Sequence, residues 1–314
     1  MPLVSVAVIT YNQQEYISEA LESIICQNVK FKYEIIVGDD CSTDGTLSII
    51  NRFQHSNPNI KVLSRTQNLG PAKNLYDVFN HCKGDYIFVL EGDDFWTNVN
   101  KMSEQVNFLR GNSKYIACTH RYSVVDHDGK IIQKEYEGPG KPSNGDYQLS
   151  DFESYLYIGH LATLCFRNIF KEKQIDTTLI INGHHFIADM SLNLLLCLNG
   201  KIFVHEYNSA VSRQVIKDSG TNYKSTISQK CQVRERILYL GRLRELTLDT
   251  YGVLVNFKDK NGNYLLWSIL YLLRYPSSHN WEVLLFVIKH VKLKNTLNLL
   301  LNEVLAIIKK RKIV

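Results

Sequence analysis

The stretch GDYIFVLEGDDFW, residues 84–96, sets a run of apolar residues directly before three acids in four positions. The apolar run is typical of a buried β-strand, and Glu91, Asp93 and Asp94 follow at its end. Like charges this close repel one another, and each carboxylate loses hydration when it is partly buried. Because a divalent cation would offset both costs, the stretch predicts a metal-binding turn after a buried strand.

Alternating strand and helix patterns lead up to this stretch. Predicted strands lie at residues 3–9, 33–40, 60–64 and 85–90. Predicted helices lie between them, at residues 17–25, 42–53 and 71–82. Because strands that alternate with helices indicate parallel crossover units, the sequence predicts an α/β fold with a doubly wound sheet.

Polar residues follow three of these predicted strands. They are Thr10, Tyr11, Asn12, Asp39, Asp40 and the acids within residues 91–94. Parallel strands bring their carboxyl ends to one edge of a sheet, where such folds bind ligands. Asp93 and Asp94 are candidate ligands of Mg²⁺ or Mn²⁺, which prefer carboxylate oxygens. The alternative is a solvated turn in which Asp94 caps a helix from about residue 98, and the second Gly-Asp-Asp, at 38–40, weighs against it.

For other polar residues before residue 110, the sequence leaves alternative interpretations open. Asp39 and Asp40 could ligate a metal, or their carboxylates could accept hydrogen bonds from a base or a ribose hydroxyl. In NLGPAKN, residues 68–74, Gly70 allows a ligand to approach the backbone closely. Lys73 offers positive charge for a diphosphate, and an exposed helical lysine is the equally weighted alternative.

Several other classes of protein are excluded by the sequence. The place where G-x-G-x-x-G would follow the first strand of a dinucleotide-binding fold holds TYNQQE, residues 10–15, and a Walker loop is absent. A net charge of +5 is too weak to indicate a nucleic-acid partner. The seven scattered cysteines have no C-x-x-C spacing, so we expect reduced thiols in a cytosolic protein rather than disulfides or zinc.

The pattern changes after about residue 111. Short runs and a Gly/Pro-rich loop at 137–146 predict an antiparallel or mixed half that packs against the parallel half. From about residue 220 the chain is predicted to be helical, with an apolar stripe in 295–308 followed by the basic residues 309–312. A helical cap is favoured for this stripe, and a peripheral membrane contact is the alternative.

Four segments together resemble the family-2 glycosyltransferases of the GT-A fold. They are residues 4–27 (VSVAVITYNQQEYISEALESIICQ), 34–46 (EIIVGDDCSTDGT), 68–74 (NLGPAKN) and 84–96. The resemblance implies a mostly parallel, Rossmann-like sheet merged with a smaller mixed half and followed by a C-terminal helical region. It also implies a nucleotide-binding half at 1–110, an acceptor-binding half at 111–220 and a helical extension at 221–314.

The resemblance assigns functions to single residues of the nucleotide-binding half. Asp40 matches the acid that contacts the base, Asp39 precedes it, and Thr10 lies near the same pocket. Asp93 and Asp94 match the motif that binds metal, ribose and diphosphate. Glu91 stands where many relatives have Asp, so Asp93 and Asp94 are the predicted metal ligands.

The acceptor-binding half carries the predicted catalytic base. In HHFIADMSLNLLL, residues 184–196, Ala188 replaces the Glu of the family's Glu-Asp pair and Asp189 remains. Asp189 is therefore the candidate base, and a helix N-cap is its alternative. HLATLCFR, residues 160–167, is similar to the family's acceptor-side strand, and Arg213 to the arginine that often follows it.

The expected activity is inverting transfer of a sugar from a nucleoside-diphosphate sugar, with UDP favoured, to the hydroxyl of a glycan or lipid-linked glycan. The usual setting of such relatives is bacterial surface polysaccharide synthesis. A sugar nucleotidyltransferase, which also uses a metal with a sugar nucleotide, is one alternative. A non-catalytic nucleotide-binding protein is the other, because Ala188 and Glu91 depart from the family pattern.

The expected location is the cytoplasm, at the inner face of the plasma membrane if the C-terminal helices bind lipid. The N-terminus has the pattern of a strand rather than a signal peptide. No stretch reaches about 18 clean apolar residues, so a spanning helix is not expected. The sequence leaves open whether the protein forms a homodimer.

Overall fold

A computed structural model describes residues 1–135, 145–154, 158–172, 174–185, 187–214 and 229–255, together with positions 269, 281, 284 and 285. The chain forms two compact units. The first comprises Met1–Phe152 and Leu156–Ser225, and the second comprises Glu153–Tyr155 and Thr226–Val314. In the second unit the structure describes one long helix, Gln229–Tyr251 (α8).

One mixed sheet forms the centre of the first unit. Its strands are β1 (Val4–Thr10), β2 (Tyr33–Asp39), β3 (Ile60–Ser64), β4 (Tyr86–Glu91), β5 (Phe95–Trp96), β6 (Tyr115–Asp126), β7 (Ile131–Gln133), β8 (Gly145–Tyr147), β9 (Cys165–Arg167) and β10 (Lys201–Gln214). The order is β3-β2-β1-β4-β9-β6-β10-β5, with β7 beside β6 and β8 beside β10.

The first four strands form the parallel part of this sheet. β1 pairs in parallel with β2 and β4, and β2 pairs in parallel with β3. Helices connect them: α1 (Ile17–Ile25), α2 (Thr46–Ser56) and α3 (Pro71–His81). This arrangement confirms the predicted α/β fold, and every residue of β1 is buried because helices cover both faces.

The apolar stripes of α1 and α3 pack on opposite faces of the parallel part. Ile17, Ala20, Leu21 and Ile24 of α1 are buried in the core formed by alternate residues of the strands, such as Ile35 and Val37. On the other face, Val78 and Asn74 of α3 approach Gly38. The parallel strands are therefore packed between α1 on one face and α3 on the other.

Helix α2 begins later than the sequence predicts. The predicted segment begins at residue 42, with Ser42 or Asp44 as its N-cap, whereas the helix begins at Thr46. The Ser42 hydroxyl and backbone N–H both donate to the carboxylate of Asp39, at 2.5 and 3.1 Å. Cys41 has a φ of 65°, in the left-handed region. The residues after β2 therefore form a tight turn, and the helix cannot begin until that turn is complete.

The rest of the sheet is mixed. β9 is antiparallel to both β4 and β6, β10 is parallel to β6, and β5 is antiparallel to β10. The helices of this part are α4 (Lys101–Gly111), α5 (Leu149–Glu153), α6 (Leu179–Gly183) and α7 (Asp189–Asn199). The N-cap of α4 is Asn100, so Asp94 does not cap this helix.

The sequence predicts two features near the end of the chain. The apolar stripe of 295–308 and the basic residues 309–312 lie outside the described residues. Among the helices that are described, none combines the length and the apolar character needed to cross a bilayer.

Gly84 packs so tightly at the start of β4 that Gly84→Ala is expected to destabilise the protein. A Cβ there would lie 2.5 Å from the carbonyl carbon of Val4 and closer still to the Ser5 nitrogen. Backbone atoms cannot move aside easily, so the expected loss is about 1–3 kcal/mol in the free energy of unfolding. Urea denaturation of the full chain measures it.

Gly111→Ala is the matched control for that experiment. Gly111 is the last residue of α4, and a Cβ there meets nothing within 4 Å. The free energy of unfolding should stay unchanged or rise by up to about 1 kcal/mol, because alanine loses less conformational entropy than glycine. Equal stabilities of the two variants would contradict the close packing of β4 on β1.

Candidate active site

The carboxyl ends of β1, β2 and β4 meet at one edge of the sheet. Thr10, the last residue of β1, is the register partner of Asp39, and its carbonyl accepts the Asp40 N–H at 2.9 Å. The Gly92 N–H donates to the Ile9 carbonyl at 2.9 Å. The predicted polar groups of the three strands are therefore brought together.

The acids after β4 lie on a tight turn that presses against the end of β1. The Asp94 N–H donates to the Glu91 carbonyl at 3.0 Å and closes the turn. A Cβ at Gly92 would lie 2.5 Å from Gln13 Oε1 and 2.7 Å from Thr10 Oγ1. Only glycine fits this close approach without displacing a neighbouring side chain. The approach brings the turn that carries the acids against the end of β1.

Asp94, Glu91 and His160 form a cluster of metal-ligand type. His160 Nε2 lies 3.3 Å from Glu91 Oε2, and His160 Nδ1 lies 3.1 Å from Asp94 Oδ2. One ligand atom from each residue lies within 4.8 Å of the others. Asp93 is not part of this cluster, although the sequence predicts it as a ligand.

The buried carboxylate of Asp94 has one oxygen that a cation would satisfy. Its side chain is 2% exposed. Oδ1 accepts the Arg213 N–H at 2.9 Å, whereas Oδ2 lies 3.1 Å from His160 Nδ1. A protonated His160 donates to Oδ2, and a cation bound there would take the place of that proton. Two carboxylates and one imidazole suit Mn²⁺.

Electrostatics indicate an excess of negative charge at the cluster. Burial raises the pKa of Glu91 to about 7; His160 opposes the rise, and Asp94 and Asp189 add to it. Burial, together with Asp94 and Glu91, also raises the pKa of Asp93 well above its usual value. Burial lowers the pKa of His160, but the surrounding carboxylates outweigh it and raise this pKa to about 10. Positive charge is therefore favoured here.

The charge of Asp189 affects the pKa values of residues in the cluster. It is the first residue of α7, half-buried, and Ala188 occupies the N-cap position. Its Oδ1 accepts the Met190 N–H at 2.7 Å. Its charge contributes to the raised pKa of both Glu91 and His160. The predicted base and the metal-type cluster are therefore electrostatically coupled.

Asp39 and Asp40 have different local partners. Asp39 is buried, and its carboxylate holds the turn at Ser42. Asp40 Oδ1 and Oδ2 accept the N–H groups of Leu69 and Gly70, at 2.8 and 2.9 Å. Burial raises the pKa of Asp40, and these N–H groups oppose the rise. Neither acid belongs to the cluster of Glu91, Asp94 and His160.

Lys73 lies in the first turn of α3 and is exposed. The N-terminus of α3 faces the segment before α7, because the Ala72 N–H donates to the His185 carbonyl at 3.4 Å. This contact brings the segment of Asp189 beside the 68–70 loop that Asp40 holds. Lys73 therefore lies at the rim of the site rather than among its buried acids.

His160 is the site residue that the sequence did not single out. It precedes a short 3-10 helix, Leu161–Thr163, and only Cys165–Arg167 of the predicted strand 160–167 forms β9. Trp96 Nε1 donates to the Ala162 carbonyl at 2.9 Å and fixes this segment beside the acidic turn. The resemblance includes His160 only as the first residue of the segment 160–167, and a polar residue directly before an apolar run is too common to indicate a ligand.

The chain is similar to known glycosyltransferases in sequence. The sequence model described as Glycosyl transferase family 2 matches residues 5–174. The putative teichuronic acid biosynthesis glycosyltransferase TuaG of Bacillus subtilis is 32% identical over 138 residues, which cover 44% of this chain and 54% of that protein. Across the first five curated relatives the match covers between 36% and 54% of their length.

Two solved structures share the fold. TarS 1–349 of S. aureus in complex with UDP-GlcNAc has a TM-score of 0.65 at 17% identity, covering 91% of this chain and 79% of that chain. The mannosyltransferase PcManGT of Pyrobaculum calidifontis, in complex with GDP-Man and Mn²⁺, has a TM-score of 0.52 at 17% identity, covering 98% of this chain and 81% of that one. At these identities the likeness concerns the fold.

Proposed function

The chain belongs to glycosyl transferase family 2, and on that premise we propose that it moves a sugar from a nucleoside-diphosphate donor to an acceptor hydroxyl with inversion. The observation that carries the proposal is the cluster of Asp94, Glu91 and His160 at the carboxyl edge of the strands, with Asp189 beside it. Transfer needs charge stabilisation at the leaving diphosphate and a base at the acceptor, and this edge supplies groups for both.

Asp189 is the proposed base. The acceptor oxygen forms a bond to the anomeric carbon while the bond from that carbon to the diphosphate oxygen breaks. The hydroxyl proton passes to the Asp189 carboxylate, and the nucleoside diphosphate leaves from the opposite face. A base in hydrogen-bond reach contributes roughly 10²–10⁴-fold to such a step.

Asp94, Glu91 and His160 would hold a divalent cation, with Asp93 at the adjoining position of the turn. When bound, the cation offsets the charge that develops on the leaving diphosphate. The grouping of two carboxylates and one imidazole, with ligand atoms within 4.8 Å of one another, supports this assignment. Mn²⁺ or Mg²⁺ is proposed, and the imidazole ligand favours Mn²⁺ of the two.

The nucleotide is proposed to lie between the ends of β1 and β2, against Thr10, Asp39 and Asp40, with Lys73 near the diphosphate. A carboxylate has about four lone-pair sites, so Asp40 can accept an N–H from a base in addition to its two loop N–H groups. UDP is the proposed nucleotide because the similar TarS structure contains UDP-GlcNAc.

A function in surface polysaccharide synthesis is proposed from the likeness to TuaG, whose name refers to teichuronic acid biosynthesis. The acceptor is proposed to be a glycan or a lipid-linked glycan bound by the 111–220 half, while 1–110 binds the donor. A sugar nucleotidyltransferase is the competing activity. Release of nucleoside diphosphate rather than pyrophosphate separates the two.

Thermal unfolding with candidate donors tests the proposed function. UDP-, GDP- and dTDP-sugars are each added with Mn²⁺ or with EDTA. At about 100 times its Kd, a ligand stabilises the folded state by about 2.7 kcal/mol, which we expect to raise the melting temperature by several degrees with Mn²⁺ only. A set of donors that leaves the melting temperature unchanged in both conditions would contradict the proposal.

A further inference from the structure

Arg213 of β10 is enclosed beside the acidic turn. Its side chain is 5% exposed, and its guanidinium carbon lies 4.8 Å from the ring centroid of Tyr16 and 5.6 Å from that of Phe95. Its backbone N–H donates to Asp94 Oδ1 at 2.9 Å. Both its main chain and its side chain therefore contact the turn that carries the acids.

The guanidinium of Arg213 binds three separate segments. Nε donates to the Asp93 carbonyl at 3.2 Å, and Nη1 donates to the carbonyls of Asp126 and His127 at 3.3 and 3.2 Å. Nη2 donates to Glu19 Oε2 of α1 at 2.6 Å. A guanidinium has five N–H donors in one plane and can serve these acceptors together, whereas a lysine ammonium has three donors at a single point.

The strand register shows why the turn needs this support. β5, which follows the acids, has two residues, and they pair with Ala210 and Val211 of β10. Continuing the same antiparallel register places Arg213 opposite Asp93. A two-residue strand is well below the usual length of about 5–6 residues, so β5 alone is a weak restraint on the turn.

We infer that Arg213, held by Glu19, is a positioning residue that fixes the acidic turn so that Asp94 Oδ2 faces His160 and Glu91. The inference rests on the proposed function, because it concerns the metal site proposed there. Glu19 is 51% exposed and reaches the acids through Arg213. Partners that orient metal ligands are typically worth 10–100-fold in metal affinity.

Glu19→Gln and Arg213→Lys in the full chain test this inference. The Kd for Mn²⁺ alone is measured by electron paramagnetic resonance or calorimetry, without nucleotide. Arg213→Lys is expected to raise this Kd about 10-fold or more, since lysine cannot serve the same acceptors. Glu19→Gln is expected to raise it by about threefold to tenfold, because the arginine loses its charged partner but keeps its other bonds.

Asp85→Asn is the matched control. It removes another exposed acid from an ion pair, with Lys171 at 2.9 Å, before the start of β4 and so at the far end of that strand from the acids. Its Kd for Mn²⁺ should stay within about twofold of wild type, as expected for a surface pair remote from the site. The melting temperature in EDTA confirms that each variant is folded at the temperature of the measurement.

The outcomes separate the inference from the proposed function. A wild-type Kd retained by both Glu19→Gln and Arg213→Lys would overturn the inference and leave the metal site standing. Wild-type protein that binds no Mn²⁺ would overturn the metal site and the inference with it. If Arg213→Lys does not fold, Glu19→Gln decides the question, because its half-exposed side chain can be replaced without burying an unpaired group.

Discussion

Asp94→Asn is expected to abolish Mn²⁺-dependent donor binding and to lower the transfer rate by about 10²–10³-fold, the usual cost of losing a group that stabilises transition-state charge. The substitution keeps the shape of the side chain and an oxygen for the Arg213 N–H. The new amide nitrogen takes the place of Oδ2, 3.1 Å from His160 Nδ1 in the wild type, so the ion pair with a protonated His160 is lost. The metal-free variant should therefore fold with a somewhat lower melting temperature than wild type.

The combination of an intact fold and a lost metal response makes this result specific. Melting temperatures with EDTA and with Mn²⁺ are compared for both proteins, and the transfer rate is measured for both at the same fixed donor concentration. Wild type should gain stability with Mn²⁺, and Asp94→Asn should not. A variant that is stabilised by Mn²⁺ as strongly as wild type would show that Asp94 does not bind the cation.

His160→Gln and Asp93→Asn then distinguish two sets of ligands. The sequence predicts Asp93 with Asp94, whereas the structure groups Asp94 with Glu91 and His160. If the structural cluster binds the cation, His160→Gln should weaken Mn²⁺ binding more than Asp93→Asn does. The reverse order would favour the ligand pair predicted from the sequence.

The parallel part of the fold could be predicted because its signals are local. Each strand from β1 to β4 is a short, mostly apolar run, and β1, β2 and β4 end at the polar residues that the sequence already marks. The start of α2 was wrong because it depends on where the Asp39 carboxylate points, and hydrophobic periodicity carries no information on that. Side-chain hydrogen bonds to the backbone compete with the helix at this point.

The remaining site residues come from segments whose position depends on non-local strand pairing. His160 precedes β9, which lies between β4 and β6, and Arg213 reaches the acids through the pairing of β10 with β5. Strand order and register of this kind are set by packing over long sequence separations. Asp94 and Asp189 were predicted from motifs, whereas the contacts around them required the arrangement of the whole mixed sheet.

Asp189→Asn is expected to lower the transfer rate by about 10²–10⁴-fold while donor and Mn²⁺ binding persist, because only the proton acceptor is lost. Asparagine keeps an oxygen that can accept the Met190 N–H, which Asp189 Oδ1 accepts at 2.7 Å. The start of α7 should therefore be preserved. The single-turnover rate and the Mn²⁺-dependent thermal shift with donor measure the two effects separately.

Asp151→Asn is the matched control for the base, since Asp151 also lies in the first turn of a helix and its carboxylate accepts a local backbone N–H, that of Gln148 at 2.9 Å. Its transfer rate should stay within about twofold of wild type, because Asp151 is not among the residues of the proposed site. A wild-type rate in Asp189→Asn would show that another group takes the acceptor proton. If Asp189→Asn loses donor binding as well as transfer activity, the Asp189 carboxylate binds the donor rather than the acceptor. Only a slow variant that still binds donor and Mn²⁺ separates proton removal at α7 from charge stabilisation at the turn after β4.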